Sequence, residues 1–314
     1  MKKVLVTGAS GFIGTHICRL LELLGYEVRA ALRGPDRHLQ CSVKDVVAVG
    51  EVGSFTQWEK ALHGVGVVIH LAARAHVVQG NEDEALGRLS EINVEGTKNL
   101  AKQASCSGVK RFIFLSSIKV HGERTDVEPF SIDQTPKPED SYAISKMKAE
   151  FDLWEIEKET DMQVVIIRPP LVYGPGVKGN LLTLVNMVRK GMPLPLGGVH
   201  NRRDLVSIYN LCDLIRVCIQ HPVAPGNTFL VSDNESMSTT ELIRYIAEGL
   251  NRNVRLFSVP IQALKIAAGL FGQAGQIEKL TGNLQIDITA TQQVLNWNPP
   301  LTVTESFNKM FAEG

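Results

Sequence analysis

Val4-Leu5-Val6-Thr7-Gly8-Ala9-Ser10-Gly11-Phe12-Ile13-Gly14 is the stretch that decides the fold of this chain. A short apolar run stops at glycines spaced three residues apart. Ile17, Leu20, Leu21 and Leu24 then follow at helical spacing. A strand that enters a helix through such a turn lets backbone N–H groups approach a pyrophosphate, with the positive end of the helix facing it. Glycine spacing alone is a weak signal; the strand before and the helix after are the context it needs. The stretch therefore predicts that Gly8, Ser10, Gly11, Phe12, Ile13 and Gly14 cradle a dinucleotide.

Outward from this turn, apolar runs alternate with helical patterns. Strands are predicted at 4–6, 27–32, 46–49, 65–71, 111–115 and 163–168, with helices over 13–24, 85–105 and 142–160. Strands separated by helices imply a parallel sheet with right-handed crossovers, and near-continuous runs such as Val164-Val165-Ile166-Ile167 suit strands buried on both faces. After Arg168 the texture changes. Pro169, Pro170, Gly174, Pro175, Gly176 and Gly179 crowd one span, a helix is predicted over 181–190, and 227–232 reads as a return to the sheet. The fold class is α/β, a doubly wound parallel Rossmann sheet with a smaller, mixed C-terminal substrate lobe. The expected division is 1–168 with 203–235 for the dinucleotide domain, and 169–202 with 236–314 for the substrate lobe.

The totals exclude several functions. The 314 residues are 44% hydrophobic, enough for a substantial core, and 33 basic side chains balance 33 acidic ones, so no global field favours nucleic acid or an anionic membrane. The five cysteines, Cys18, Cys41, Cys106, Cys212 and Cys218, form no CxxC pair and read as reduced. No HxxxH or HExxH spacing points to a metal. Met1-Lys2-Lys3 before Val4 imitates a leader peptide, but Thr7-Gly8, His16 and Arg19 break the apolar run at once. No apolar run reaches the ~18 residues of a spanning helix. A cytoplasmic location is expected.

Three further places carry chemistry. Arg33 ends the second strand, where a carboxylate would bond the ribose of NAD; an arginine accommodates the 2′-phosphate of NADP, although a surface arginine would look the same. Ser116-Ser117 follows the 111–115 strand at the sheet edge where ligands sit. Tyr142 and Lys146, four apart on a helix, lie on one face. A free phenol, with a pKa of about 10, is a poor base at neutral pH. A neighbouring ammonium and a cofactor charge would lower it and poise it for proton transfer.

Taken together, these pieces resemble the extended short-chain dehydrogenase/reductases of the nucleotide-sugar epimerase/dehydratase family. The matching motifs are TGASGFIG at 7–14, VIHLAA at 68–73, INVEGTKNL at 92–100, FLSSIKVHG at 114–122, SYAISK at 141–146 and RPPLVYGPG at 168–176. NRRDLVSIYNLCDLI at 201–215 looks like the family's Arg-Asp segment. The resemblance implies that Tyr142 is the acid/base, that Lys146 lowers its pKa and binds the nicotinamide ribose, and that Ser117 orients the reacting oxygen. It further implies that Leu71, Ala72 and Ala73 line the dinucleotide, that Pro169 lies near the nicotinamide, and that Asn93 buttresses a helix. Asn180 and Arg203 match positions that contact a nucleotide diphosphate, and Lys119 is a further substrate-binding candidate.

The departures narrow the reaction. Dehydratases of the family carry an Asp-Glu pair where this chain has Ile118 and Lys119, which disfavours dehydration; His121 stands where many members have tyrosine. SSIKVHGE at 116–123 and GGVHNRRDLV at 197–206 are similar to a bacterial subgroup acting on UDP-N-acetylhexosamines for surface polysaccharides. The expectation is C4 oxidoreduction of a UDP-linked sugar with NADP or NAD, 4-keto reduction being preferred to 4-epimerisation. A catalytically idle dinucleotide sensor is the alternative from another class. A lipid-linked sugar substrate would give the apolar helix at 261–271 a task at a membrane surface. The resemblance also implies a homodimer built on the helices at 85–105 and 142–160.

Overall fold

The computed structural model describes residues 3–34, 42–75, 82–270 and 274–313; Cys41 and Phe271 lie outside that set. In chain order the elements begin with β1 (Lys3–Thr7), α1 (Phe12–Leu23), β2 (Glu27–Leu32), β3 (Asp45–Ala48), α2 (Glu59–Leu62) and β4 (Val65–His70). They continue with α3 (Glu82–Ser90), α4 (Gly96–Cys106), β5 (Arg111–Leu115), α5 (Ser141–Glu159), β6 (Gln163–Arg168) and β7 (Val172–Tyr173). Next come α6 (Gly179–Arg189), β8 (Val206–Ser207), α7 (Ile208–Gln220), β9 (Asn227–Leu230) and α8 (Thr239–Gly249). The chain ends with α9 (Ile261–Leu270), α10 (Ala274–Thr281), α11 (Thr289–Leu295) and α12 (Val303–Ala312).

Seven strands form one sheet in the order β3-β2-β1-β4-β5-β6-β9, every pair parallel. The order runs outward from β1 in one direction and from β4 in the other. The crevice at their carboxyl ends is thus the switch point where such sheets bind ligands. The expected doubly wound parallel sheet is what the chain forms, because its strands are apolar on both faces and helices cover each one. On one face Ile17 and Leu21 of α1 pack with Leu211, Leu214 and Ile215 of α7. On the other, Leu100 and Ala101 of α4 pack with Leu153 and Ile156 of α5 and with Trp58. A third core gathers Tyr173, Leu184, Val188, Ile243, Ile246 and Phe307, with the Tyr173 and Phe307 rings stacked at 4.4 Å.

The single helix expected over 85–105 is interrupted. A π-helical turn, Glu91–Glu95, separates α3 from α4 and holds Asn93. The Asn93 carboxamide accepts from Arg74 N at 2.9 Å and donates to Arg74 O at 3.0 Å and to Ser145 Oγ at 2.9 Å. The widened turn aims this side chain at the loop after β4 and at α5, a use typical of π-bulges. Asn93 therefore buttresses α5 as the resemblance implied, and the loop after β4 as well.

Candidate active site

The glycine turn is built by close approach. Gly8 has φ +67°, and a Cβ there would lie 2.8 Å from Ala72 N. A Cβ on Gly14 would lie 2.2 Å from Gly8 O and 2.7 Å from Ala9 Cα. Helix α1 thus begins hard against β1, with Gly11 at its N-cap and no side-chain cap on its first N–H groups among the described residues. Those uncapped N–H groups, aimed along the axis of α1 at the switch-point crevice, fit a dinucleotide pyrophosphate. Ser10, Phe12 and Ile13 flank the turn, and Leu71, Ala72 and Ala73 follow β4 beside it. Arg33 is exposed at the carboxyl end of β2.

Behind this wall sits a buried histidine. The Thr97 hydroxyl donates to Asn93 O at 2.8 Å, so its oxygen accepts from His70 Nε2 at 2.9 Å, and His70 Nδ1 accepts from the Thr7 hydroxyl at 2.7 Å. Thr7 Oγ1 in turn accepts from Leu71 N and Ala72 N, both at 3.2 Å. The chain of donors is complete only with His70 neutral. Burial, helped by the Lys146 charge, brings its pKa down to about 3. His121 is also buried. Its Nε2 accepts from Arg168 Nη1 at 2.7 Å, and burial followed by the Arg168 charge brings its pKa to about 4. Both histidines have folded-state values below the ordinary ~6.5, so below pH 6.5 the unfolded chain takes up protons that the native state refuses. Stability is therefore fully present above pH 6.5 and falls as the pH drops towards 4. Urea unfolding at pH 7 and pH 5 is expected to show a loss on the order of 3 kcal/mol from the two rings.

Asp140 starts α5: its Oδ1 accepts from Ala143 N at 2.7 Å, which places Tyr142 and Lys146 one turn apart on the same face. Lys146 is buried. Its ammonium donates to Leu115 O at 2.8 Å, lies 4.4 Å from the Phe114 ring centroid, and is 6.0 Å from that of Tyr142. Burial pulls Lys146 down to about 7, with Glu150 pulling the other way. The Tyr142 phenol goes up, to about 12, through burial first and the Asp140 charge second. The lowering expected from the sequence draws on a cofactor charge as well as on the ammonium. A lysine already near neutrality by burial is a weak source of positive charge, and Asp140 opposes it. Ser117 caps the turn Ile118–Val120, its Oγ accepting from Lys119 N, and Pro169 O accepts from Ile118 N at 2.9 Å, which ties the end of β6 to the same turn. The neighbouring Ser116 Oγ is buried without a partner among the described residues.

Ser117, Lys119 and Tyr142 share a cavity of about 420 Å³ with Asn180 and Arg203. Leu184, Met187, Met237 and Leu242 give it a largely apolar wall. A larger open groove, about 1010 Å³, runs along Val47, Phe55 and Glu91 at the sheet edge but holds none of these residues. Arg203 donates to Gly282 O at 3.1 Å and pairs with no carboxylate among the described residues; burial lowers its pKa. Asn180 lies near the start of α6. Lys119 is in the cavity wall, but its ammonium is held by Asp140 at 2.6 Å and Glu123 at 2.7 Å. His121, in the place of the usual tyrosine, belongs to a buried group in which Arg168 also pairs with Glu150, and its Nδ1 has no partner among the described residues. Sequence reading missed Asp140, Glu123 and the His70 chain. Asp140 was findable, since an aspartate directly before a helical run is an N-cap signature; Glu123 stands four residues from Lys119 but on no helical pattern, and the His70 bonds join residues 63 and 27 apart.

Among the described residues, no cluster of His, Cys, Asp and Glu is set to hold a metal, and no helix is long and apolar enough to cross a membrane. A parallel sheet wound both ways from a glycine turn, with a tyrosine and a lysine above its edge, defines a dinucleotide-dependent oxidoreductase architecture. The chain belongs to the NAD dependent epimerase/dehydratase family, whose pattern matches residues 4–232. It is 46% identical over 314 residues to UDP-glucose 4-epimerase of Vibrio cholerae, covering 98% of this chain and 94% of that protein. It is 25% identical over 266 residues to N-acetyl-alpha-D-glucosaminyl-diphospho-ditrans,octacis-undecaprenol 4-epimerase of Escherichia coli O157:H7, covering 82% of this chain and 75% of that one. Its fold matches that of UDP-glucose 4-epimerase from Thermotoga maritima, solved with UDP-glucose, with a TM-score of 0.78, 20% identity, and coverage of 99% of this chain and 97% of that one. The chain is thus an NAD-dependent enzyme by family, with the expected sheet and the expected glycine turn.

Proposed function

We propose that this enzyme carries out oxidation and reduction at C4 of a UDP-linked sugar. The observation that carries the reading is Arg203: a half-buried guanidinium that makes no ion pair among the described residues, in the same cavity as Ser117 and Tyr142. A half-buried cation of this kind is favourable against a diphosphate, which takes a guanidinium fork in two directions. In this reading Arg203 and Asn180 hold the diphosphate, and the apolar wall receives the base. Ser117 orients the oxygen on C4, and Tyr142 moves its proton. Gly8, Ser10, Gly11, Phe12, Ile13 and Gly14 hold the cofactor pyrophosphate, with Leu71, Ala72, Ala73, Pro169 and Lys146 along the rest of the dinucleotide. When bound, the oxidised nicotinamide supplies both the hydride acceptor for C4 and a positive ring charge near Tyr142.

Two directions use the same residues. The 46% identity to a UDP-glucose 4-epimerase supports C4 inversion, in which Tyr142 first takes the 4-hydroxyl proton and later returns it. Exposed Arg33, free to meet a 2′-phosphate, supports NADPH-fed reduction of a 4-keto sugar, with Tyr142 as proton donor. The missing Asp-Glu pair at Ile118 and Lys119 is against dehydration in either case. Cofactor accounting separates the directions: stoichiometric NADPH loss with a 4-keto sugar supports reduction, and interconversion of two UDP-hexoses without net consumption supports inversion. Arg203→Met tests the shared part. Losing a charge-assisted contact of about 1.5–3 kcal/mol should weaken UDP binding, measured by calorimetry, roughly 10- to 100-fold. Unchanged UDP affinity would remove the diphosphate role.

A further inference from the structure

We infer that Glu123 is a specificity-determining residue: its carboxylate, in the cavity wall with Ser117 and Tyr142, admits a neutral group at C6 of the nucleotide sugar and turns away a C6 carboxylate. The inference rests on the reading that places C4 at Ser117 and Tyr142. One ammonium ties the turn after β5 to the start of α5 at this end of the cavity. Lys119 Nζ donates to Asp140 Oδ2 at 2.6 Å and to Glu123 Oε1 at 2.7 Å. Lys119 N donates to Ser117 Oγ at 3.3 Å, and Asp140, two residues before Tyr142, caps α5 at Ala143 N. The ion group is thus built into the same backbone that carries Ser117 and Tyr142. Of its two carboxylates, Glu123 lines the cavity with those residues and Asp140 does not.

One ammonium against two carboxylates leaves a negative charge uncompensated. Exposed Glu139, whose Oε1 accepts from Glu123 N at 3.3 Å, adds to it. The nearby cations are committed elsewhere. Arg168 pairs with Glu150, Lys146 donates to Leu115 O, and exposed Arg124, like both of them, is not in the cavity wall. Arg203 and Lys279 do line the cavity, and in the proposed reading the charge of a diphosphate balances theirs. A bound sugar therefore meets a negative end. With C4 at Ser117 and Tyr142, C6 hangs from the ring carbon next to C4 and falls at the same end. An ionised carboxylate only accepts hydrogen bonds, so Glu123 can take one from a C6 hydroxyl and tolerates a C6 methyl. To a C6 carboxylate it offers repulsion, and specificity is often set by excluding the wrong substrate in this way. Glu123 and Lys119 are half-buried, so water screens the repulsion in part, and its worth is about tenfold in affinity.

The test uses UDP-glucose and UDP-glucuronate, which differ only at C6, titrated by calorimetry at low salt. Tyr142→Phe is the parent enzyme, so that neither sugar reacts. UDP-glucuronate is expected to bind at least about tenfold more weakly than UDP-glucose. Adding Glu123→Gln should narrow that ratio at least about threefold. Glu128→Gln, an equal loss of charge on the exposed surface outside the cavity, should leave the ratio where it was. Asp140→Asn keeps an acceptor for Ala143 N and should also narrow the ratio, which carries the test if Glu123→Gln does not fold. Salt at about 0.5 M should narrow it in the parent, since screening shortens the reach of the charge. UDP-glucuronate binding as tightly as UDP-glucose overturns the inference. So does a ratio that ignores Glu123→Gln, or one that moves equally in Glu128→Gln. Failure of UDP itself to bind would instead overturn the nucleotide-sugar reading, so the two failures are distinguishable.

Discussion

Tyr142→Phe is expected to lower turnover by about 10²- to 10⁴-fold, the usual worth of a positioned proton donor or acceptor. Affinity for the dinucleotide should change by no more than about threefold. The ring stays in the variant, and the bonds that shape its surroundings involve other atoms: Asp140 to Ala143 N, Ser145 to the Tyr142 carbonyl, Asn93 to Ser145. Fluorescence titration with NAD and NADPH, beside a steady-state assay, separates the two effects. A variant that loses cofactor binding and turnover together would assign Tyr142 a binding role. A variant that keeps turnover would move the proton chemistry to another residue, Ser117 being next to hand in the same cavity.

Gly14→Ala should produce the largest structural effect. The new methyl would lie 2.2 Å from Gly8 O and 2.7 Å from Ala9 Cα, and both are backbone atoms of the turn itself, with no flexible side chain to yield. Helix α1 must then move away from β1, which costs on the order of 3 kcal/mol in an overpacked core and displaces the N–H groups meant for the pyrophosphate. Urea unfolding should report the lost stability, and NAD affinity should fall at least about tenfold. Gly34→Ala is the internal control, because a Cβ there meets nothing within 4 Å among the described residues. Equal behaviour of the two variants would contradict the close approach of turn and helix.

Much of this architecture was readable from residue order, for reasons particular elements make plain. The strands 27–32, 111–115 and 163–168 coincide with β2, β5 and β6, because continuous apolar runs between turn residues have few other places to go in a parallel sheet. The helix at 85–105 was legible as a helix but not as a broken one. The break exists to aim Asn93 at Arg74 and Ser145, contacts at separations of 19 and 52 residues that no local pattern encodes. Helix α2 and the pair β7–β8 are four and two residues long, too short for periodicity to speak. In the site, the Gly, Ser, Tyr and Lys motifs announce themselves by spacing, and Asn180 and Arg203 join Ser117 and Tyr142 in one cavity. The charge surroundings of Tyr142 were not legible. They include Asp140, whose partner Lys119 stands 21 residues earlier, and a burial of Lys146 that only packing decides.

The most direct test of C4 chemistry is proton NMR of UDP-hexoses, UDP-N-acetylhexosamines and their 4-keto derivatives incubated with the wild-type enzyme, NAD and NADPH. The account predicts change confined to C4: either inversion of the H4 signal in a UDP-sugar, or appearance of a new H4 in a 4-keto sugar as NADPH is consumed. Change at another carbon, or no change in any UDP-linked sugar while UDP and dinucleotide both bind, would contradict it.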